Sequence, residues 1–245
     1  MDNQWETGAP IPTGVLNNRY FTNIPRRHLG AGPVSLCGLG QPGRDRRRQT
    51  TWKTFLKAHW ESLFATDFTT VEVWTARGLV TFYVLAVMHL PTRRVQIAGL
   101  TPHPTAQWLK QVCRNLTDGE EGFLKDASQL IVDRDTSFLA LREFMTDHTP
   151  TKILLLPPRS PNLNAHLERW FRSLKSECLD RMVFFGEAAL RRALAAYVAH
   201  YHAERNHQGL DNQLIEPGEE VGQMAGTIHC RDRLGGLLRY YHRAA

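Results

Sequence analysis

Residues 63–100 read LFATDFTTVEVWTARGLVTFYVLAVMHLPTRRVQIAGL, and this stretch decides the fold. It contains three segments rich in β-branched and aromatic residues, which favour strands: residues 63–73, 79–90 and 95–100. The second segment is nearly all apolar, as expected of a central strand that is covered on both faces. Because only short turns separate the segments, we expect three consecutive strands that pair as a meander.

Helical and strand patterns alternate along the rest of the chain. Apolar residues at helical spacing predict four helices, at about 104–116, at 138–147, from about Ser160 to Cys178, and at 187–204. Two short apolar runs between them predict strands at 129–132 and 152–156, the second ended by Pro157 and Pro158. This order of elements predicts an α/β domain, in which a mixed sheet carries helices on both faces.

Length and composition exclude several classes of protein. The chain has 245 residues, of which 42% are hydrophobic, enough for one large domain with its own core. Its longest apolar run, residues 79–88, is too short to span a bilayer, and the first residues do not resemble a secretory signal. The four cysteines are scattered without zinc-site spacing, so we expect reduced thiols in a cytoplasmic protein.

Positive charge is concentrated towards the N-terminus. Residues 26–57 carry a net charge of +7, whereas the whole chain carries +6. Such a segment is typical of phosphate binding, with a solvated arm that has no partner as the alternative. Residues 1–50 are rich in Gly, Pro, Asn and Arg without any helical or strand period, which predicts a poorly ordered basic arm. The candidates for DNA contact in this region are Arg46, Arg47, Arg48 and Lys53.

Three acidic residues stand out because of their positions in the predicted elements. Asp67 interrupts an apolar, Thr-rich strand, Asp133 follows the strand at 129–132, and Glu168 lies on the helix after Pro161. A half-buried carboxylate in a strand is costly unless it is paired or binds a cation. Converging carboxylates would bind Mg²⁺, which prefers oxygen ligands, and two such ions can drive an in-line phosphoryl displacement. Because the chain has 24 acids, helix caps and surface ion pairs remain the alternative at this point.

The sequence around these acids resembles the catalytic core of retroviral-type integrases and D,D-35-E insertion-sequence transposases, the integrase core domain family. Asp133 and Glu168 are 35 residues apart, which is the spacing of that family. The resemblance runs from about Arg48 to the C-terminus. The matching segments are ATDFTT at 65–70, LIVDRDTSF at 130–138, PPRSPNLNAHLER at 157–169, SECLDR at 176–181 and HYHAERNHQGL at 200–210.

The resemblance implies a fold and an activity. The expected fold is ribonuclease H-like, a five-stranded mixed sheet flanked by helices, over residues 51–215, with a C-terminal tail at 216–245. The implied activity is metal-dependent hydrolysis of DNA that frees 3′-hydroxyl ends, followed by transfer of those ends to target DNA. Asp67, Asp133 and Glu168 would be the catalytic residues and the ligands of two Mg²⁺ or Mn²⁺ ions. Transposon ends, target DNA and further copies of the chain are the expected partners, in a prokaryotic cytoplasm and nucleoid.

Some assignments stay open within this resemblance. The family pattern Asp-x-x-x-x-Phe selects Asp133 through Phe138, so Asp135 is interpreted as a turn residue. Because the family places the helix of Glu168 against DNA, four of its residues are candidates for DNA contact: Asn164, Arg169, Arg172 and Lys175. Asn164 could instead support the start of that helix, and the cations could form a solvated face. Arg205 and His207 are interpreted as a helix-end group near the active site or DNA.

Two other functions remain possible. A metal-dependent nuclease would use the same three acids for hydrolysis alone, and a truncated or domesticated remnant would bind DNA without catalysis. Residues 1–50 show neither the paired helical periods of a helix-turn-helix module nor a zinc-binding set of His and Cys. A shortened or replaced N-terminal module is therefore expected, which places sequence-specific recognition of transposon ends in question.

The basic arm leads to a prediction about salt dependence. Replacing Arg46, Arg47 and Arg48 together with Gln should lower the slope of log affinity for DNA against log salt by about two to three units. The reason is that each lost phosphate contact removes roughly one released counterion. DNA binding measured over a series of salt concentrations checks this, and an unchanged slope would mean that the run is a solvated arm.

Overall fold

The computed structural model describes residues 58–156 and 164–244. Over these ranges the chain forms a five-stranded sheet, four α-helices and a separate two-stranded sheet. The predicted arm at 1–50, with Arg46, Arg47 and Arg48, lies outside the described residues, as do Lys53 and the segment from Ser160 to Leu163. Within the described ranges, no helix is long and apolar enough to cross a membrane.

The large sheet is mixed, with the strand order β3-β2-β1-β4-β5. Its strands are β1 (Leu63–Thr75), β2 (Gly78–His89), β3 (Val95–Thr101), β4 (Gln129–Val132) and β5 (Lys152–Leu155). Short turns join β1, β2 and β3, which pair antiparallel, whereas helices connect β3 to β4 and β4 to β5. Strand β4 therefore pairs parallel with β1, and β5 parallel with β4. This is the ribonuclease H-like arrangement, so the predicted fold class is confirmed.

In the described part of the chain, four α-helices cover the two faces of the sheet. They are α1 (Ala106–Leu116), α2 (Leu139–His148), α3 (Ala165–Glu177) and α4 (Glu187–Ala203). Helix α1 begins two residues later than Pro104, where the sequence predicted its start. The reason is that Thr105 is extended and caps the helix, its hydroxyl oxygen accepting a hydrogen bond from the Trp108 N–H at 3.2 Å.

Alternate residues of the strands enter two separate hydrophobic cores. Phe64, Leu130 and Val132 belong to the core formed with α1 and α2, which includes Leu109, Val112, Leu141 and Phe144. Leu63, Ala65 and Ile131 belong to the core formed with α3 and α4, which includes Leu167, Trp170, Leu174, Leu190 and Leu194. The odd-numbered residues at the start of β1 therefore face α3 and α4, and Asp67 belongs to this series.

The C-terminal residues, expected to be a tail, form an antiparallel hairpin of β6 (Thr227–Arg233) and β7 (Leu238–Ala244). One face of this hairpin packs on the domain, because Leu238 is buried in the core shared with α3 and α4. Glu204, at the end of α4, has a fully buried carboxylate that binds cations from β6: Arg233 at 2.7 Å and Arg231 at 3.2 Å. His200 approaches the same carboxylate at 2.8 Å.

The surroundings of Glu204 favour its charged form. Burial opposes ionisation of this carboxyl, but hydrogen bonds from Arg233, His200 and Arg231 outweigh that effect and lower its pKa from 4.5 to about 2. The folded state therefore releases this proton more readily than the unfolded chain does. The resulting stabilisation is complete above about pH 4.5 and is lost as the pH falls towards 2.

A substitution at Glu204 tests whether this carboxylate holds the hairpin. Glu204→Gln removes the buried charge and leaves the half-buried Arg233 without this carboxylate partner, so the free energy of unfolding should fall by about 1.5–3 kcal/mol. Urea unfolding at pH 7 measures the change. The matched control is Glu187→Gln, which breaks only the exposed i,i+4 pair with Arg191 and should cost under about 0.5 kcal/mol. Equal effects of the two substitutions would contradict this role of Glu204.

Candidate active site

The parallel pairing of β1 with β4 brings two of the three predicted acids together. The paired residues are Leu63 with Gln129, Phe64 with Leu130 and Ala65 with Ile131. Extending this register by two residues sets Asp67 level with Asp133, just beyond the end of β4. Because level residues of parallel strands project to the same face, both carboxylates lie on the face covered by α3.

Asp67 is half-buried inside β1, and its charge is disfavoured there. Burial raises the pKa of its carboxyl from 3.8 to about 6, and the charges of Asp133, Glu168 and Asp135 add to this rise. The Phe68 N–H acts in the opposite direction, since it donates a hydrogen bond to Asp67 Oδ1 at 2.8 Å. Asp67 therefore lies within electrostatic reach of three other carboxylates.

Asp133 is exposed and directly follows β4. Its Oδ1 accepts a hydrogen bond from the Arg134 N–H at 2.6 Å. The Arg134 side chain in turn donates from Nε to the carbonyl of Leu156, at 2.6 Å, which ties the end of β4 to the end of β5. The segment that carries Asp133 is thus fixed by hydrogen bonds at the edge where β1 and β4 bring the two acids together.

Aromatic packing on the opposite face of the sheet supports the same segment. Phe138 is buried, and its ring lies 5.1 Å from that of Phe68, the residue after Asp67. Phe68 also stacks on Trp108 of α1, at 6.4 Å. Trp108 fits there because Gly99 has no side chain, and a Cβ at that position would lie 2.4 Å from the indole. Phe138 therefore anchors the loop after Asp133, a physical reason for an aromatic residue five positions after this acid.

The structure also separates Asp135 from Asp133. The Asp135 Oδ1 accepts a hydrogen bond from the Ser137 N–H at 2.8 Å and caps the short 3₁₀ turn Thr136–Phe138. The interpretation of Asp135 as a turn residue agrees with this bond. The charge of Asp135 nevertheless helps to raise the pKa of Asp67. Asp133, and not Asp135, is the residue that directly follows the strand.

Glu168 is an exposed residue in the first turn of α3. The opposite side of this helix docks on the sheet through a buried stripe of apolar residues: Leu167, Trp170, Phe171 and Leu174. This docking leaves Glu168 close enough for its charge to raise the pKa of Asp67. The three acids thus come from a central strand, a strand end and a helix, as the sequence predicted.

The carboxylates suit divalent cations in their chemistry but do not form a closed ligand cage. Within residues 58–156 and 164–244, no group of three His, Cys, Asp or Glu side chains is close enough to hold a metal ion. Mg²⁺ needs only one or two carboxylates, because it keeps several of its water ligands. The mutual repulsion of Asp67, Asp133 and Glu168 is the condition that such a cation relieves.

The predicted DNA-contacting residues of α3 differ in exposure. Arg169 and Arg172 are exposed and Lys175 is half-buried, so their contact with DNA stays a prediction. Asn164 is only 3% exposed, and its side chain does not cap α3. Its Oδ1 has no hydrogen-bond partner in the part of the chain that is described. Because its side chain is buried, Asn164 is poorly placed to contact DNA directly. Burial favours the alternative interpretation, in which Asn164 supports the start of the helix.

Sequence reasoning missed a basic pocket beside α3, which we call the cationic pocket. It is lined by side chains from the β2–β3 turn, from α3 and from the segment after α4: Arg93, His166, Arg169, Arg205 and His207. These segments are distant in the sequence. Two partial signals for the pocket were present in the sequence, namely Arg169 as a candidate for DNA contact and the interpretation of Arg205 and His207 as a helix-end group.

Comparison with known proteins supports the resemblance over part of the chain. Residues 150–214 match the integrase core domain family. The matched segment contains Glu168, Arg169 and Arg205, whereas Asp67 and Asp133 precede it.

One solved structure provides a further comparison. A chain of the simian T-cell lymphotropic virus intasome in complex with PP2A regulatory subunit B56 gamma is 13% identical to this chain, with a TM-score of 0.44. The match covers 75% of this chain and 67% of that chain. No curated protein matches the chain.

The raised pKa of Asp67 leads to a prediction about stability and pH. Because the folded-state pKa is about 6 and the unfolded value is 3.8, the favourable contribution of protonated Asp67 is complete below about pH 3.8 and is lost as the pH rises through 6. Asp67→Asn is neutral at every pH. Without metal it should exceed wild type in stability by up to about 3 kcal/mol at pH 7, and by almost nothing near pH 4.

Urea unfolding between pH 4 and pH 8, in the presence of a chelator, measures this difference. The control is Asp147→Asn on the exposed face of α2, which should change stability by under about 0.5 kcal/mol throughout. A pH-independent effect of Asp67→Asn would show that neither burial nor the neighbouring acids raise the pKa of Asp67 in the folded protein.

Proposed function

We propose that this protein is a DNA integrase or transposase, which hydrolyses a phosphodiester bond with the help of divalent metal and then transfers the freed strand end to target DNA. One observation carries the proposal, namely that the β1–β4 register sets Asp67 level with Asp133 on the face of α3, the helix that bears Glu168. The match of residues 150–214 to the integrase core domain family supports it.

In this proposal Asp67, Asp133 and Glu168 hold the metal. Asp67 would supply a carboxylate from a central strand, Asp133 one from a strand end and Glu168 one from a helix. When bound, two Mg²⁺ or Mn²⁺ ions activate the attacking oxygen and stabilise the leaving oxygen of the displacement. Ionised Asp67 is destabilised by its neighbours, so cation binding regains free energy that the metal-free fold has lost.

Both chemical steps would be in-line displacements at phosphorus. In hydrolysis, a water oxygen attacks phosphorus, the bond from phosphorus to the 3′-oxygen breaks, and that oxygen takes up a proton as a free 3′-hydroxyl. In transfer, this hydroxyl attacks a phosphodiester of target DNA, loses its proton and displaces the 3′-oxygen of the target strand. Neither step needs a covalent bond to the protein. The role of the chain is to hold the strands in line and to supply negative ligands for the metal.

Two cations of α3 would position the DNA. Arg172 lies four residues after Glu168 and Lys175 seven after it, so both share the face of the helix that carries this acid. Contacts from these side chains to backbone phosphates would orient a strand without reading its sequence. We expect transposon ends and target DNA as substrates and a homo-oligomer as the assembly that joins them, in a prokaryotic cytoplasm.

Substitution of the three acids tests the proposal. Asp67→Asn, Asp133→Asn and Glu168→Gln should each abolish Mg²⁺- or Mn²⁺-dependent cleavage of DNA while DNA binding persists, because each keeps the size of the side chain and removes a charge. Because the acids act as one unit, the triple variant should be little worse than any single one. In addition, Mg²⁺ should raise the melting temperature of wild type but not that of Asp67→Asn, a readout independent of cleavage.

The matched control is Asp135→Asn, since an asparagine can still accept the hydrogen bond from Ser137 and should keep most activity. Loss of cleavage in Asp135→Asn but not in Asp133→Asn would mean that the second acid is wrongly assigned. Joining of labelled donor ends to a plasmid separates an integrase from a nuclease on the same fold. Failure of wild type to cleave any duplex or branched DNA with metal would leave a DNA-binding remnant.

A further inference from the structure

The cationic pocket occupies a different face of α3 from the predicted catalytic acid. His166, Arg169 and Ser173 lie three or four residues apart, so they form one stripe along the helix. Glu168 forms another stripe with Arg172 and Lys175, about 100° around the axis. The pocket encloses about 370 Å³, which is room for one phosphate group with its sugar but not for a duplex.

The pocket holds excess positive charge. Its lining includes three arginines and contains no Asp or Glu among the described residues. Arg205 is partly compensated, because it forms an ion pair with Glu177. In the ranges that the structure describes, neither Arg93 nor Arg169 forms an ion pair with a carboxylate. An anion in the pocket would supply the missing negative charge.

The position of Arg93 is fixed on several sides. Its backbone adopts a left-handed conformation with φ of +62°, which a side chain other than glycine rarely adopts. Its guanidinium donates a hydrogen bond to the carbonyl of Leu90 and lies 5.6 Å from the centre of the Trp60 ring. Burial, with a further contribution from Arg169 that Tyr201 opposes, lowers the pKa of Arg93. The fold thus holds a guanidinium near a second cation at the expense of backbone strain, as functional positions often do.

A buried donor lies in the same wall. Trp170 lines the pocket, is only 2% exposed, and its indole N–H has no hydrogen-bond partner within the described residues. An unsatisfied buried donor is costly, so it favours an acceptor or a water molecule nearby. Neutral polar side chains complete the lining with further donors: Ser173, Asn206 and Gln208.

We propose that the cationic pocket binds one backbone phosphate of DNA and so fixes the strand on a face of α3 separate from that of Glu168. Guanidinium groups suit this role because their planar donors match phosphate oxygens in pairs. The contact is independent of base sequence, since every nucleotide carries the same phosphate. That the phosphate belongs to DNA rests on the proposed function, whereas the charge of the pocket does not.

DNA affinity in a chelator, measured over a series of salt concentrations with two unrelated duplexes, tests the proposal. Arg93→Gln should lower the slope of log affinity against log salt by about one unit for both duplexes, with a three- to tenfold loss of affinity near 0.1 M salt. The matched control is Arg77→Gln in the exposed β1–β2 turn, which removes the same formal charge and should leave the slope unchanged. Arg93→Asn is a second variant with the same expected loss, because asparagine tolerates the left-handed conformation and protects the fold.

Inorganic phosphate distinguishes a free anion from the DNA backbone. If phosphate raises the melting temperature of wild type but not of Arg93→Asn, while the DNA slope is the same in both, the pocket takes free phosphate and the DNA assignment is overturned. If neither readout differs between wild type and the Arg93 variants, the pocket is no phosphate site. Because DNA binding is measured without metal, a changed slope would support the phosphate site even if the protein did not cleave DNA. Conversely, metal-dependent cleavage would support the proposed function even if the slope were unchanged.

Discussion

Three backbone pairs, from Leu63 with Gln129 to Ala65 with Ile131, hold β1 and β4 in parallel, and both cores and the candidate site depend on their register. A shift of β4 by one residue would exchange its two faces. Ile131 would then leave the core under α3, Leu130 and Val132 would leave the core under α1, and Asp133 would turn away from Asp67. Burial of apolar residues on both faces of this strand therefore fixes the relative position of two carboxylates that have no attraction for each other.

The same register imposes an electrostatic cost. At neutral pH the pKa of about 6 leaves Asp67 mostly ionised inside a strand, close to three like charges. The hydrogen bond from Phe68 offsets only part of that cost. A fold selected only for stability would place a neutral residue there. The retained acid is explained if the charge of the site is balanced by cations that the chain does not itself supply.

The large sheet could be predicted because its signals are local. Strand β4 covers residues 129–132 as predicted, and the three meander strands differ from prediction only at their ends, since long runs of Val, Phe and Thr leave few alternatives. The hairpin of β6 and β7 could not be predicted in this way. Strand β6 has no alternating series of buried apolar residues, and the main anchor of the hairpin, Glu204, lies more than twenty residues earlier in the chain. Contacts of that kind become visible only once the helices are packed.

The candidate site shows the same division between local and distant signals. Family resemblance and the 35-residue interval selected Asp67, Asp133 and Glu168 as candidates, and the spacing to Phe138 favoured Asp133 over Asp135. The burial of Asn164 could not be foreseen, because it depends on how α3 docks. The cationic pocket was missed because Arg93 is an ordinary turn residue in sequence, and its importance depends on a left-handed backbone and on the ring of Trp60.

Helix α3 connects these two parts of the site. Glu168 and Arg169 are consecutive, so their Cα atoms are about 3.8 Å apart, while their side chains diverge by about 100° around the axis. The helix is held on the sheet by Leu167, Trp170 and Leu174, each no more than 2% exposed. A strand bound at Arg169 would therefore be kept at a distance from Glu168 that is set by one rigid helix rather than by a loop. Trp170 belongs both to this buried stripe and to the wall of the cationic pocket, so the packing that positions the acid also shapes the phosphate site.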